Sequence, residues 1–152
     1  MLREATKDVA HEVFLFHAAC GDLTRHRPSR LAYQSWYVLA RNLMDFFETV
    51  PYKRSGDAIL AGDFFHPPRY WHAKRQAIVR PMDYCGYRRA AHKRAAHLTY
   101  ARAAYRAKGG KTYDPSAEVS AYLLELARLF LALLTEEHQG WFRATDFPLP
   151  WR

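Results

Sequence analysis

Apolar residues recur at three- and four-residue steps in four stretches of this 152-residue chain, and each recurrence predicts a helix. The first, about residues 4–20, places Val9, Val13, Phe16 and Cys20 on one side and is expected to stop at Gly21, a residue suited to a left-handed C-terminal cap. Ser29 stands where it can cap a second helix over about 30–49, which Pro51 closes. Along that helix Gln34, Arg41, Asp45 and Glu48 form a narrow polar stripe, with Trp36, Leu39, Leu43, Phe46 and Phe47 opposite. A third helix, about 84–107, ends at Gly109-Gly110. The fourth starts at "DPS", with Asp114 as N-cap and Pro115 in the first turn, and runs to about His138 before Gly140. Its leucines mark it as the spine of the core.

Between the second and third helices lie more than thirty residues, about 51–83, rich in proline and aromatic side chains. A connection of that length in a small domain either packs across the fold or carries function. Short helical turns are expected around "DAILAGDFF" and "WHAKRQAIV", with the aromatics plugging one end. The expected fold is therefore all-α, a four-helix bundle with a long aromatic-rich crossover between helices 2 and 3. It forms a single helical domain over 1–152 with a tail from about 141.

Charge changes this picture. Residues 51–111 hold 14 Lys and Arg against 3 Asp, while the rest of the chain holds 9 basic and 12 acidic residues. All of the excess behind the net +8 lies in the middle of the chain, which favours a polyanion as partner, RNA or a nucleotide above all. A solvated face that only confers solubility is the competing reading.

On the third helix His97 and Arg94 share a face with Ala90, Ala91, Ala101 and Ala104, so both point toward the packed side. Arg88, His92, Arg102 and Arg106 occupy the other, where phosphates can reach them. Arg41 and Asp45 sit one turn apart and can pair, and Asn42 lies at the edge of the apolar wall. Arg41, Asn42, Arg94 and His97 could form an inner pocket, with Arg88, Lys93, Arg102 and Arg106 as outer phosphate contacts. The competing reading is a structural network in which His97 bonds a carbonyl or a carboxylate such as Asp45. "HPPRYWHAKRQ" could stack bases as well as pack.

Other chemistries find no support. Cys20 and Cys85 are far apart and form no ligand pattern, and no HExxH spacing occurs among the eight histidines, so neither a disulfide framework nor a structural metal is expected. GxSxG, Walker and dinucleotide-binding patterns are missing, and no cofactor is expected. The charged start resembles no signal peptide, and "AYLLELARLFLALL" contains Glu125 and Arg128, so no membrane span and a cytoplasmic location are expected.

The motifs "ARNLMDFF", "GDAILAGDFF" and "KRAAHLTYAR", in this order over roughly residues 8–140, resemble a bacterial family of uncharacterised helical proteins. In that family a histidine often precedes the Ala-Arg-Asn; here that place is Leu39. The general shape is also similar to the HEPN superfamily of four-helix nucleotide-binding domains and ribonucleases. Cutting members carry an arginine, a polar residue and, after four to six intervening residues, a histidine. Arg41-Asn42 matches the first half, but Phe46, Phe47 and Glu48 fill the histidine place, and Arg89 to His97 misses the interval by one. The resemblance thus implies the fold more than the chemistry. A metal-independent ribonuclease would need His97, as acid and base, to reach Arg41 from the neighbouring helix, with Arg41 or Arg94 clamping phosphate. The rival expectation is a non-catalytic interaction module that joins two protomers.

Overall fold

Apolar periodicity is realised as helix throughout the computed structural model, which describes residues 1–27, 29–50, 56, 58–96 and 114–147. Among these the elements are α1 (Leu2–Leu23), α2 (Arg30–Glu48), a 3-10 turn (Ala61–Phe64), α3 (Arg69–Arg75), α4 (Tyr84–Ala96), α5 (Ala117–Leu133) and α6 (Glu136–Arg143). No strand occurs among the described residues, and the fold is all-α as expected. No described helix is long and apolar enough to cross a membrane.

Helix α2 is the central rod: α1 packs along one side of it and α4 along another, and α5 closes on both α1 and α2. The Ser29 hydroxyl accepts a hydrogen bond from the Ala32 amide at 3.0 Å, the predicted cap. Trp36, Leu39, Leu43 and Phe47 are buried as their spacing requires, while Phe46 is partly covered. Glu48 departs from expectation. It belongs to the polar stripe by spacing, yet it is buried, because α4 and the segment following α3 lie over the last turn of α2.

Three helix boundaries also differ from the sequence reading. Helix α1 continues through Gly21 and ends at Thr24, whose hydroxyl donates to the Gly21 carbonyl at 2.7 Å; right-handed backbone at Thr24 removes the need for a glycine cap. Ser116, not Asp114, caps α5, its hydroxyl accepting from the Val119 amide at 3.3 Å. The single helix expected to reach His138 is two. Leu134 turns extended, Thr135 caps α6 by accepting from the His138 amide, and the Gln139 side-chain amide donates to the carbonyls of Leu131 and Leu134, both at 3.2 Å. These bonds satisfy groups that the end of α5 leaves open, so the break carries little polar cost. Gly140 therefore lies inside α6, and helix occupies 141–143 of the expected tail, with Phe142 buried.

Both short turns expected in the crossover are present. The 3-10 turn is fixed by the Leu60 amide donating to the Asp63 carboxylate at 2.8 Å. Three crossover aromatics, Phe64, Phe65 and Trp71, lie against Phe130 of α5 together with Phe46 and Phe47 of α2 and Phe142 of α6. The buried Trp71 indole donates to the Phe47 carbonyl at 2.8 Å, freed at the end of α2, and so ties crossover to central rod. That anchoring holds the following arginines, Arg75 and Arg80, against the C-terminal end of α2.

Candidate functional site

Two carboxylates on the last turns of α2, Asp45 and Glu48, are three residues apart and face the same neighbours. Arg88 of α4 bridges them, one guanidinium nitrogen 3.6 Å from Asp45 and another 3.6 Å from Glu48. One turn further along α4, His92 Nε2 stands 3.2 Å from Asp45 Oδ1. Arg41, on α2 itself, approaches Asp45 at 3.7 Å, the pairing that spacing predicted.

Glu48 is the better enclosed of the two, its side chain only 1% exposed. Its Oε1 accepts from the Tyr122 hydroxyl at 2.7 Å and from Arg80 Nε at 3.2 Å, and Arg75 lies 3.8 Å away. A carboxylate taken from water to this depth is tolerated only with such donors around it. Burial, followed by the hydrogen bond to Glu48 and its charge, pushes the Tyr122 phenol up to about 12. Tyr84 is pushed up further, by burial first and then by Glu48; both rings keep their protons at neutral pH. Burial pulls Arg75 below the ordinary arginine value, Glu48 opposing and Arg80 reinforcing that pull. Arg80 is raised, first by the Tyr122 hydroxyl and then, against partial burial, by Glu48.

Donors outnumber acceptors here. Four guanidiniums, of Arg41, Arg75, Arg80 and Arg88, meet two carboxylates. Nε of Arg41 and both Nε and Nη1 of Arg75 are buried with no hydrogen-bond partner. The Tyr84 hydroxyl is likewise buried without one, although the charge of Glu48 acts on it through space. Beside this seam a cleft of about 520 Å³ opens, lined by Cys85, Arg88, Arg89 and His92. These four recur at three- and four-residue steps and so share one side of α4. No family model, curated protein or solved structure matches this chain.

The expected inner pocket is only partly within view. Arg41 is at the seam, but Asn42 turns the other way, its amide donating to Glu12 of α1 at 2.9 Å. That bond partly offsets the burial that raises the Glu12 carboxyl. The side chains of Lys93 and Arg94, and His97, Arg102 and Arg106 altogether, lie outside the described residues. Arg88, expected as an outer phosphate contact, is half-buried and shared between two carboxylates. His92, expected on the watery side, leans on Asp45.

Sequence reasoning missed Glu48, Arg75, Arg80, Tyr84 and Tyr122 as members of one cluster. One signal was present: a carboxylate pair at a helix end and, further along the crossover, an arginine-rich segment containing a tryptophan. Among the described residues no three His, Cys, Asp or Glu side chains gather to hold a metal, and both cysteines are free.

Proposed function

We propose that this protein binds RNA or another phosphate-rich ligand through the basic side of α4 and the seam behind it. The observation that carries the reading is the surplus of guanidinium donors over carboxylate acceptors around Asp45 and Glu48, beside an open cleft lined by Arg88, one further arginine, Arg89, and His92. The fold that goes with it is a four-helix bundle made of α1, α2, α4 and α5, with the aromatic crossover as its plug, the shape that also led to the HEPN resemblance. Lys93, Arg94, Arg102 and Arg106 would extend the phosphate track along the same stretch of chain.

Mobility of labelled single-stranded RNA across a salt series tests the reading. Affinity should fall steeply with salt, the logarithmic slope changing by about 0.7 for each phosphate contact. Binding that is absent at low salt overturns it. As an enzyme, the protein would be a metal-independent ribonuclease with His97 moving the proton and Arg41 clamping phosphate. RNA degradation lost in a folded His97→Ala variant is the expected result, and unchanged degradation removes that step.

A second reading draws on the enclosed Glu48 network. In a non-catalytic interaction module the cluster would serve only to fix how α4 sits on α2, and the chain would join a second copy. Its outcome is a dimer in light scattering together with no RNA shift at any salt.

A further inference from the structure

Burial alternates along the stretch that joins α3 to α4. Ile78 packs against the core, Arg80 donates to Glu48 while its guanidinium lies 5.7 Å from the centre of the Tyr84 ring, and Tyr84 is buried. With these three turned inward, Val79 and Met82 between them are turned outward, 87% and 89% exposed. Among the described residues only Met1 is a more exposed large apolar side chain. The turn that carries Met82 is closed: the Tyr84 amide donates to the Pro81 carbonyl at 3.2 Å, and Asp83 takes the left-handed backbone that aspartate tolerates. Both apolar tips are thus presented to solvent by an anchored framework.

The apolar surface continues into α4. Cys85 is exposed, and the cleft that it lines with Arg88, Arg89 and His92 shows mostly carbon, because Arg88 sends its terminal nitrogens to Asp45 and Glu48 and leaves its stem outside. Charge around this surface has one sign. From Phe64 to His92 the chain carries Arg69, Lys74, Arg75, Arg80, Arg88 and Arg89 against Asp83 as its one carboxylate, and Arg69, Lys74, Arg80 and Arg89 are exposed. Tyr70 and Lys74, one turn apart on α3, are exposed together, the ammonium 5.4 Å from the ring centre. A tyrosine beside cations suits the boundary between water and lipid. Nucleic acid would gain little from the tips, since bases stack on aromatic or guanidinium planes and Val79 and Met82 offer neither. An anionic bilayer uses both features: its acyl boundary takes the aliphatic side chains out of water while its headgroups meet the cations.

We infer that the segment from Ile78 to Tyr84 is a peripheral docking element for an anionic phospholipid surface, with Val79 and Met82 entering the headgroup boundary and Arg69, Lys74 and Arg89 holding the anionic lipids around them. The inference goes beyond the RNA reading and does not depend on it.

Flotation of the full chain with vesicles is the test, using phosphatidylcholine alone and phosphatidylcholine with about one third phosphatidylserine, at about 0.1 M salt. The chain should rise with the anionic vesicles and stay behind with the neutral ones. The double variant Val79→Thr/Met82→Gln keeps the shape of two exposed side chains, so its circular dichroism should be that of the parent. Its affinity for the anionic vesicles should fall about tenfold or more, while the mobility shift of labelled RNA is unchanged. Lys74→Gln should lower vesicle affinity about fivefold, the scale of one cation near an anionic surface. Vesicle binding with no RNA shift supports the docking element and overturns the RNA reading. An RNA shift with no binding to anionic vesicles overturns the docking element and leaves the RNA reading standing. Vesicle binding unchanged in the double variant overturns it as well, since the chain would then adsorb by charge alone. A double variant that loses RNA and vesicle affinity to the same degree overturns the assignment of the turn to lipid.

Discussion

Replacing Glu48 by glutamine removes the charge from the centre of the seam and keeps the shape of the side chain. In the parent its Oε1 accepts from Tyr122 at 2.7 Å and from Arg80 at 3.2 Å, with Arg75 and Arg88 at 3.8 and 3.6 Å. Breaking a buried ion pair by removing one partner costs about 3–5 kcal/mol. Two circumstances reduce that here: Arg80 is about half exposed, and the glutamine carbonyl can still accept from Tyr122. The expected loss is therefore about 2 kcal/mol for Glu48→Gln and about 3 kcal/mol for Glu48→Ala, which also strands the Tyr122 hydroxyl. For a chain of this size the alanine change corresponds to a melting temperature lower by roughly 6–12 °C. Urea unfolding monitored by circular dichroism reads the difference, with the denaturant slope unchanged if only stability has moved. A cycle with Tyr122→Phe should show coupling of about 1 kcal/mol or more, since the two groups share one hydrogen bond. Were Glu48→Gln to cost less than about 0.5 kcal/mol, or the cycle to show no coupling, Glu48 would not be the electrostatic centre of the cluster.

Other parts of the fold carry three more expected outcomes. Phe130→Ala should cost about 3–5 kcal/mol in the same urea assay, because the ring is the common contact of the crossover aromatics and a cavity there cannot readily collapse. Ser29→Ala should cost about 1 kcal/mol by loss of the cap on α2, and Ser29→Asn should restore most of it. Tyr122 is raised in the folded chain from its ordinary value of 10 to about 12, so its contribution to stability is complete below pH 10 and is lost as pH rises toward 12. Alkaline unfolding should accordingly be less steep in Tyr122→Phe across that window, and an identical profile in the two proteins would show that the phenol does not titrate with folding.

Element identity was legible wherever the deciding interaction is local. Ser29 lies three residues from the amide it caps, and the apolar wall of α2 follows from spacing alone. The turns in the crossover were legible too, from short apolar runs between prolines. Boundaries failed where side chains from the next element intervene: Gln139 reaches back to two carbonyls at the end of α5, which no periodicity in α5 encodes. At the candidate site Arg41 and Asp45 were found by their four-residue step, whereas Asn42 bonds Glu12, thirty positions earlier in the chain.

What the sequence determined by itself is helical class, the principal apolar faces and an excess of positive charge confined to the middle of the chain, because each is a property of neighbouring residues or of simple composition. Only tertiary structure decided what that charge meets. By helical repeat Glu48 belongs to a solvated stripe; it is buried because Trp71, bonded to the end of α2, brings Arg75 and Arg80 over it while α4 delivers Arg88 and α5 delivers Tyr122. Burial of a charge is settled by everything that packs around it, and those groups come from three separate segments, the crossover, α4 and α5, whose approach no local pattern records.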